Sequence, residues 1–389
     1  MNTKTIILSF LTSVLIFGFS LSGCERVKQI TTPDTISTIK VGIIQPSGLA
    51  PSFTKGAELA RSQINDSGGL LGQEVEFVIM DNQGARDFPD PDESVRIART
   101  LIEDEGVVAI LGPLLSTNST QVGPVVTELK RPIITGSSGQ AVTATGEYVF
   151  IAVAPTSFQG ATTANFASDP NELYAKTAAT IRQKGDVYSN TVADAFEVNF
   201  EKLGGKIVAT EYYQRGNRDF DIQLAKINET VPDVLLIAGF IPEVPLLAAR
   251  AREIGIKATF IGTNAWDIPD ELFNVLDDNT PLEGSYFTRD FSVESPAAAP
   301  FVEAYTEMYL EPPDGPSSWG YDAMSLLAIA IRNAGTLDPT VIRDELAKVT
   351  NYQGASTISH FDENRHPVKS LLLHTIRNGQ IVLYKAVDP

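Results

Sequence analysis

The sequence predicts an α/β protein of two lobes, each a parallel-rich sheet covered by helices. Three observations carry that expectation. Strand-like and helix-like segments alternate with short connections, the pattern that lays helices over a parallel sheet. The alternation runs in two successive series of similar length within 389 residues, enough chain for two domains. Hydrophobic residues make up 43% of the chain and there is a single cysteine, so the cores must hold by packing without an internal disulfide.

The elements read in order as follows. Lys4 gives a positive start, residues 6–21 are apolar, and Leu21, Ser22, Gly23 and Cys24 close the run with small residues. That is the layout of a secretory signal over residues 1–23. Residues 24–37 lack apolar periodicity and contain Thr, Ser and Pro, which reads as a flexible tether. A first strand spans 39–44. A helix over 54–65 turns Ala57, Leu59, Ala60 and Ile64 inward and ends before Gly68 and Gly69. A strand over 74–80 and a helix over 94–105 follow, the latter with Val95, Ala98, Leu101 and Ile102 on one face. Asp90, Pro91, Asp92 and Glu93 before it read as a solvated loop. Strands over 107–111, 131–135 and 148–153 bracket a helix containing 121–129. The second series begins near Phe158, with helices near 190–203, 220–228 and 244–254 and strands at 206–211, 233–237 and 259–262.

Charge and motifs exclude several functions. A net charge of −18 argues against nucleic acid or an anionic membrane surface as partner. The histidines, His360, His366 and His374, all fall near the end of the chain, His366 in a polar turn. HExxH, GxSxG, CxxC and glycine-rich phosphate loops are absent, so neither an enzyme nor a cofactor or metal is expected. A cleft between two α/β lobes is instead a usual place for a small ligand.

Several short motifs carry a family resemblance. They are Gly56-Ala57-Glu58-Leu59-Ala60, Gly112-Pro113 with Ser116, Ser137-Ser138-Gly139, Gln159-Gly160, Tyr188-Ser189, the run from Gly262 to Asp267, Gly320-Tyr321-Asp322-Ala323 and Phe361-Asp362. Their order resembles the type I periplasmic solute-binding proteins of ABC transporters, in the branched-chain amino-acid-binding (Leu/Ile/Val-binding) group. The Leu-Ser-Gly-Cys ending resembles a lipobox, which implies acylation of Cys24 and anchoring to a membrane on its extracytoplasmic side. The resemblance implies two Rossmann-like lobes joined by a three-crossing hinge. Lobe 1 is then expected at 38–158 plus 288–352, and lobe 2 at 159–287 plus 353–389. It further implies capture of a small polar solute, an amino acid first of all, for an ABC transporter permease. A ligand-sensing receptor component, or a binding protein for an amide or small carboxylate, is the alternative.

The candidate ligand residues are Ser116, Ser137, Ser138, Gly139, Tyr188, Phe240, Asn264 and Asp267. Ser116 lies between a strand and a helix, where a hydroxyl and free backbone N–H groups can meet a carboxylate; an ordinary helix cap is the competing reading. The small residues at 137–139 let a ligand approach the backbone, or form a plain polar loop. Tyr188 can cover an aliphatic ligand or pack in a core. Phe240 has the same two readings, as does Trp266. The resemblance places an acid near the start of the loop at 262–267, to neutralise a ligand's ammonium. Here Asn264 stands there, so the charge is missing unless Asp267 turns inward. Gly139 likewise stands where the family often has a hydroxyl.

Overall fold

A computed structural model of the protein describes residues 38–83 and 88–388. The expected signal segment, Cys24 and the tether lie outside the described residues.

The first series builds one sheet from β1 (Ile39–Ile44), β2 (Val75–Met80), β3 (Ala109–Leu111), β4 (Ile133–Thr135) and β5 (Val149–Ile151). The strands run in parallel in the order β2-β1-β3-β4-β5. Inner strands β3 and β4 are buried along their whole length because helices cover both faces. Those helices include α1 (Ser52–Asp66), α2 (Pro91–Glu103) and α3 (Ser116–Glu128).

The chain then crosses to the second lobe. Its elements are α4 (Thr156–Ser168), β6 (Thr177–Gln183), α5 (Val187–Lys202), β7 (Lys206–Tyr213), α6 (Asp221–Thr230), β8 (Val234–Ala238), α7 (Glu243–Glu253), β9 (Thr259–Gly262), α8 (Pro269–Asn274) and β10 (Tyr286–Arg289). It returns to lobe 1 for α9 (Ala299–Tyr309), α10 (Gly315–Ala334), α11 (Pro339–Leu346) and a small sheet of β11 (Thr350–Gln353), β12 (Thr357–Phe361) and β13 (Pro367–Val368). A third crossing ends in β14 (Leu371–Arg377) and β15 (Gln380–Val387). The second sheet has the order β15-β14-β10-β9-β8-β6-β7, parallel from β7 to β10 and closed by the antiparallel pair β14 and β15.

Lobe 1 is held chiefly by α1 against α10. A side-chain carbon on Gly56 would lie 1.8 Å from the Ser317 carbonyl oxygen, and one on Gly320 would lie 1.9 Å from that of Phe53. Two motifs far apart in sequence therefore meet backbone to backbone, and only glycine permits the approach.

Several expectations are corrected. Thr288 and Arg289 belong to the second sheet, where Arg289 is opposite Leu372, so lobe 1 resumes after them and not at 288. Residues 353–368 belong with lobe 1. Ile358 and Phe361 pack in its core, and the Phe361 ring meets Phe150 edge-on at 5.6 Å. The presumed loop at 90–93 starts a helix: Asp90 accepts hydrogen bonds from the N–H groups of Asp92 and Glu93, and Pro91 is the first helical residue. An acidic cap followed by proline is a helix-start signal that outweighs the polar composition. His366 is buried, with its Nε2 2.8 Å from the Thr143 hydroxyl.

Candidate ligand-binding site

A cavity of about 50 Å³ lies between the lobes. Lobe 1 lines it with Leu49, Ala50, Leu114, Leu115, Ser116, Gly136, Ser138 and Trp319; lobe 2 contributes Tyr188, Phe240, Asn264, Ala265 and Ile268. Five of the expected ligand residues, Ser116, Ser138, Tyr188, Phe240 and Asn264, are therefore brought together.

The lobe-1 wall follows from the ends of β3 and β4. Leu115, not Ser116, is the N-cap of α3, and no side chain caps that helix. The Ser116 hydroxyl accepts the N–H of Gly139 at 3.0 Å instead. The first turn of α3 thus keeps its N–H groups and partial positive charge at the cavity. Ser137 and Gly139 support this wall and do not line the cavity. Ser137 shares a 2.5 Å hydrogen bond with Ser119 and sits 3.2 Å from the Pro113 carbonyl oxygen. A side chain on Gly139 would press within 2.7 Å of the Ser116 oxygen. Glycine at 139 is therefore a condition of the Ser116 contact, and a hydroxyl residue would not fit without a shift.

The lobe-2 wall is aromatic. Tyr188 is the second residue of α5, whose N-cap Asp186 accepts the N–H of Ser189 at 2.7 Å. Its ring lies 5.2 Å from that of Phe240. Its hydroxyl is hydrogen-bonded to Thr263 and accepts the Ala265 N–H at 3.2 Å, so it braces the loop after β9. Burial raises the phenol's pKa, so the hydroxyl stays protonated. Asn264 is held on both sides. Its N–H donates to Gln159 at 3.2 Å, and its side-chain amide donates to Asp290 at 3.4 Å.

Asp267 does not reach the cavity. It is fully buried, packs against Gly315 at the start of α10, and forms an ion pair with Arg289 that is close but poorly aligned for hydrogen bonding. Burial pushes its pKa up to about 7 against the pull of Arg289, and Asp314 and Asp290 add to the rise. Trp266 is a core residue whose indole N–H donates to the Ile237 carbonyl at 3.3 Å. The tryptophan of the cavity is Trp319, which sequence reasoning passed over although it directly precedes the Gly320-Tyr321 motif. Leu49, Leu115 and Ile268 carried no signal beyond hydrophobicity.

The lobes are in contact. The Thr117 hydroxyl on α3 donates to Asp186 at 2.9 Å and accepts the Val187 N–H at 3.3 Å. Leu49 is shared with a wider hollow of about 310 Å³, where Arg215 lies 3.1 Å from the Phe88 ring centre. Among the described residues no cluster of His, Cys, Asp and Glu is placed to hold a metal ion, and no helix is long and apolar enough to cross a membrane.

Two α/β lobes, a three-crossing hinge and a cavity walled by both define a ligand-binding protein of the hinged, two-lobed class. The periplasmic binding protein family matches residues 38–380, and the chain belongs to that family. An amino acid binding protein of Pseudomonas aeruginosa is 27% identical over 314 residues, 78% of this chain and 81% of that protein. The leucine-binding protein LivK of Thermotoga maritima superposes with a TM-score of 0.82 at 29% identity, covering 90% of this chain and 99% of the other. LivJ of Streptococcus pneumoniae, solved with isoleucine, gives 0.81 at 28%, covering 91% and 100%. The family works outside the cytoplasm, binding small molecules and delivering them to transporters.

Proposed function

We propose that this protein captures a small carboxylate with an apolar body, an amino acid first of all, and delivers it to an ABC transporter permease. One observation carries the reading: the α3 start with Ser116 and Ser138 faces Tyr188 and Phe240 across one cavity. The hydroxyls and helix N–H groups suit a carboxylate without an arginine, and the rings with Trp319 suit an aliphatic or small aromatic body. The relatives named above bind amino acids by their descriptions, which supports the same class. Asn264 favours a second reading, since it offers an ammonium group an amide oxygen without a formal charge. A carboxylate or amide lacking the amine then competes with the amino acid. Cys24, acylated, would hold the protein to the membrane, with residues 24–37 as its tether.

Titration calorimetry of the purified protein against amino acids, amides and small carboxylates tests this. Saturable one-site binding that also raises the melting temperature is the expected result. Absence of binding by every solute in the panel overturns it. Loss of membrane partitioning in Cys24→Ser tests the anchor separately.

A further inference from the structure

We infer that the buried Asp290–Lys369 pair in the hinge positions Asn264 and sets how the cavity discriminates an amino acid from its ammonium-free counterpart. This rests on the solute-binding reading above.

All three crossings meet at this pair. The Ala154 N–H, on the first crossing, donates to Asp290 Oδ1 at 2.6 Å. Asp290 lies directly after β10, on the second. Lys369, on the third between β13 and β14, places its ammonium 3.3 Å from Asp290 Oδ1. It also donates to the Ala152 carbonyl at 3.2 Å and to the Ser356 hydroxyl at 2.8 Å. Ser356 in turn donates to Asp322 on α10 at 2.5 Å. Asp290 and Lys369 are both buried, so their charges act with little screening from water.

The second oxygen of Asp290 faces Asn264. A carboxylate can only accept, so Asn264 must turn its NH₂ toward Asp290 and its oxygen away. The backbone N–H of Asn264 is already bound to Gln159. The loop therefore shows the cavity an acceptor, suited to a ligand N–H, backed by an acid one residue removed from the ligand. This also explains why an amide stands at 264. A carboxylate there would lie against Asp290, and two like charges at that distance resist simultaneous ionisation. Lys369 lies beside Asp290 and is shared through Ser356 with Asp322, so a change in either member of the pair alters the local potential that an ammonium group meets.

The two members of the pair have opposite effects on that potential. Asp290→Asn leaves Lys369 with one fewer acid; Lys369→Met leaves Asp290 without its base. Dissociation constants are measured by calorimetry on the full chain for L-leucine and for the 2-oxo acid of the same carbon skeleton. Asp290→Asn is expected to shift preference toward the oxo acid by about tenfold, and Lys369→Met to shift it toward leucine by a similar factor. A purely structural role would weaken both ligands alike. Equal loss for both ligands, no change, or shifts of the same sign overturn the inference. Should one variant fail to fold, the sign of the shift in the other decides.

A ligand-free readout separates the inference from the functional reading. The Asn264 side-chain amide protons, assigned by NMR through their loss in Asn264→Ala, are expected to shift in whichever charge variant folds. Unmoved resonances contradict the positioning role. A wild-type protein that binds neither probe, yet shows the shift, overturns the solute reading and leaves the positioning role standing.

Discussion

Ser116 places a hydroxyl on the lobe-1 wall. Its hydroxyl holds the Gly139 N–H and faces the cavity. Ser116→Ala should weaken solute binding by about tenfold, the cost of one hydrogen bond to a charged group, and lower stability by about 1 kcal/mol. Calorimetry and urea unfolding measure the two effects, and unchanged affinity would remove Ser116 from the site. Asp267 behaves in the opposite way. Asp267→Ala strands a buried guanidinium, so unfolding should become easier by about 3 kcal/mol. His374 supplies a pH signal. It is buried on β14 beside Phe287, and burial, with Arg289 nearby, depresses its pKa to about 3. From pH 6.5 down to about 3 the unfolded chain binds a proton that the folded chain refuses, so stability falls on acidification. The loss is about 1.4 kcal/mol per pH unit in that window and absent in His374→Phe. Parallel stability curves for the two proteins between pH 6 and 4 would contradict the assignment.

At the scale of elements, packing of α1 on α10 joins the Gly56 and Gly320 motifs. Gly56→Ala should destabilise the fold by about 1–3 kcal/mol, since the new carbon meets a backbone carbonyl that cannot turn aside. Thermal unfolding checks it, and a variant as stable as wild type would mean the helices pack otherwise. Elements with strong periodicity or buried strand character were legible in the sequence: β1 and β9 have the expected bounds, and most helices of both series differ by a few residues. Starts were read late where a polar cap begins the helix, as at Asp90 and Asp186, because polar residues there resemble loop. Strand β6, at the heart of the second sheet, was missed: Thr177 to Gln183 includes Arg182, a charged residue that disguises a buried strand. That arginine is tolerated because Asp194 and Glu197 on α5 pair with it.

For the whole molecule, the three-crossing hinge and the two lobes were expected through family motifs, and periodicity alone could not assign 353–368 to lobe 1. Nor could it tell that Asp267 turns away from the cavity, because the choice depends on Arg289, in contact only after folding. The Thr117–Asp186 hydrogen bond ties lobe 1 to lobe 2 and so favours an arrangement that keeps the lobes together. Thr117→Val should therefore weaken solute binding several-fold by favouring the open form, while leaving thermal stability of the ligand-free protein within about 0.5 kcal/mol of wild type. Equal affinity would mean the contact forms without regard to the ligand.

Solute is expected to bind in the cavity between the lobes, and the two tryptophans report on that position. Trp319 lines the cavity, while Trp266 is sealed in the lobe-2 core. Fluorescence titration with a solute that binds by calorimetry should give a saturable change in emission with the same dissociation constant, lost in Trp319→Phe. A solute that binds in the calorimeter while leaving the Trp319 emission unchanged would place its site elsewhere.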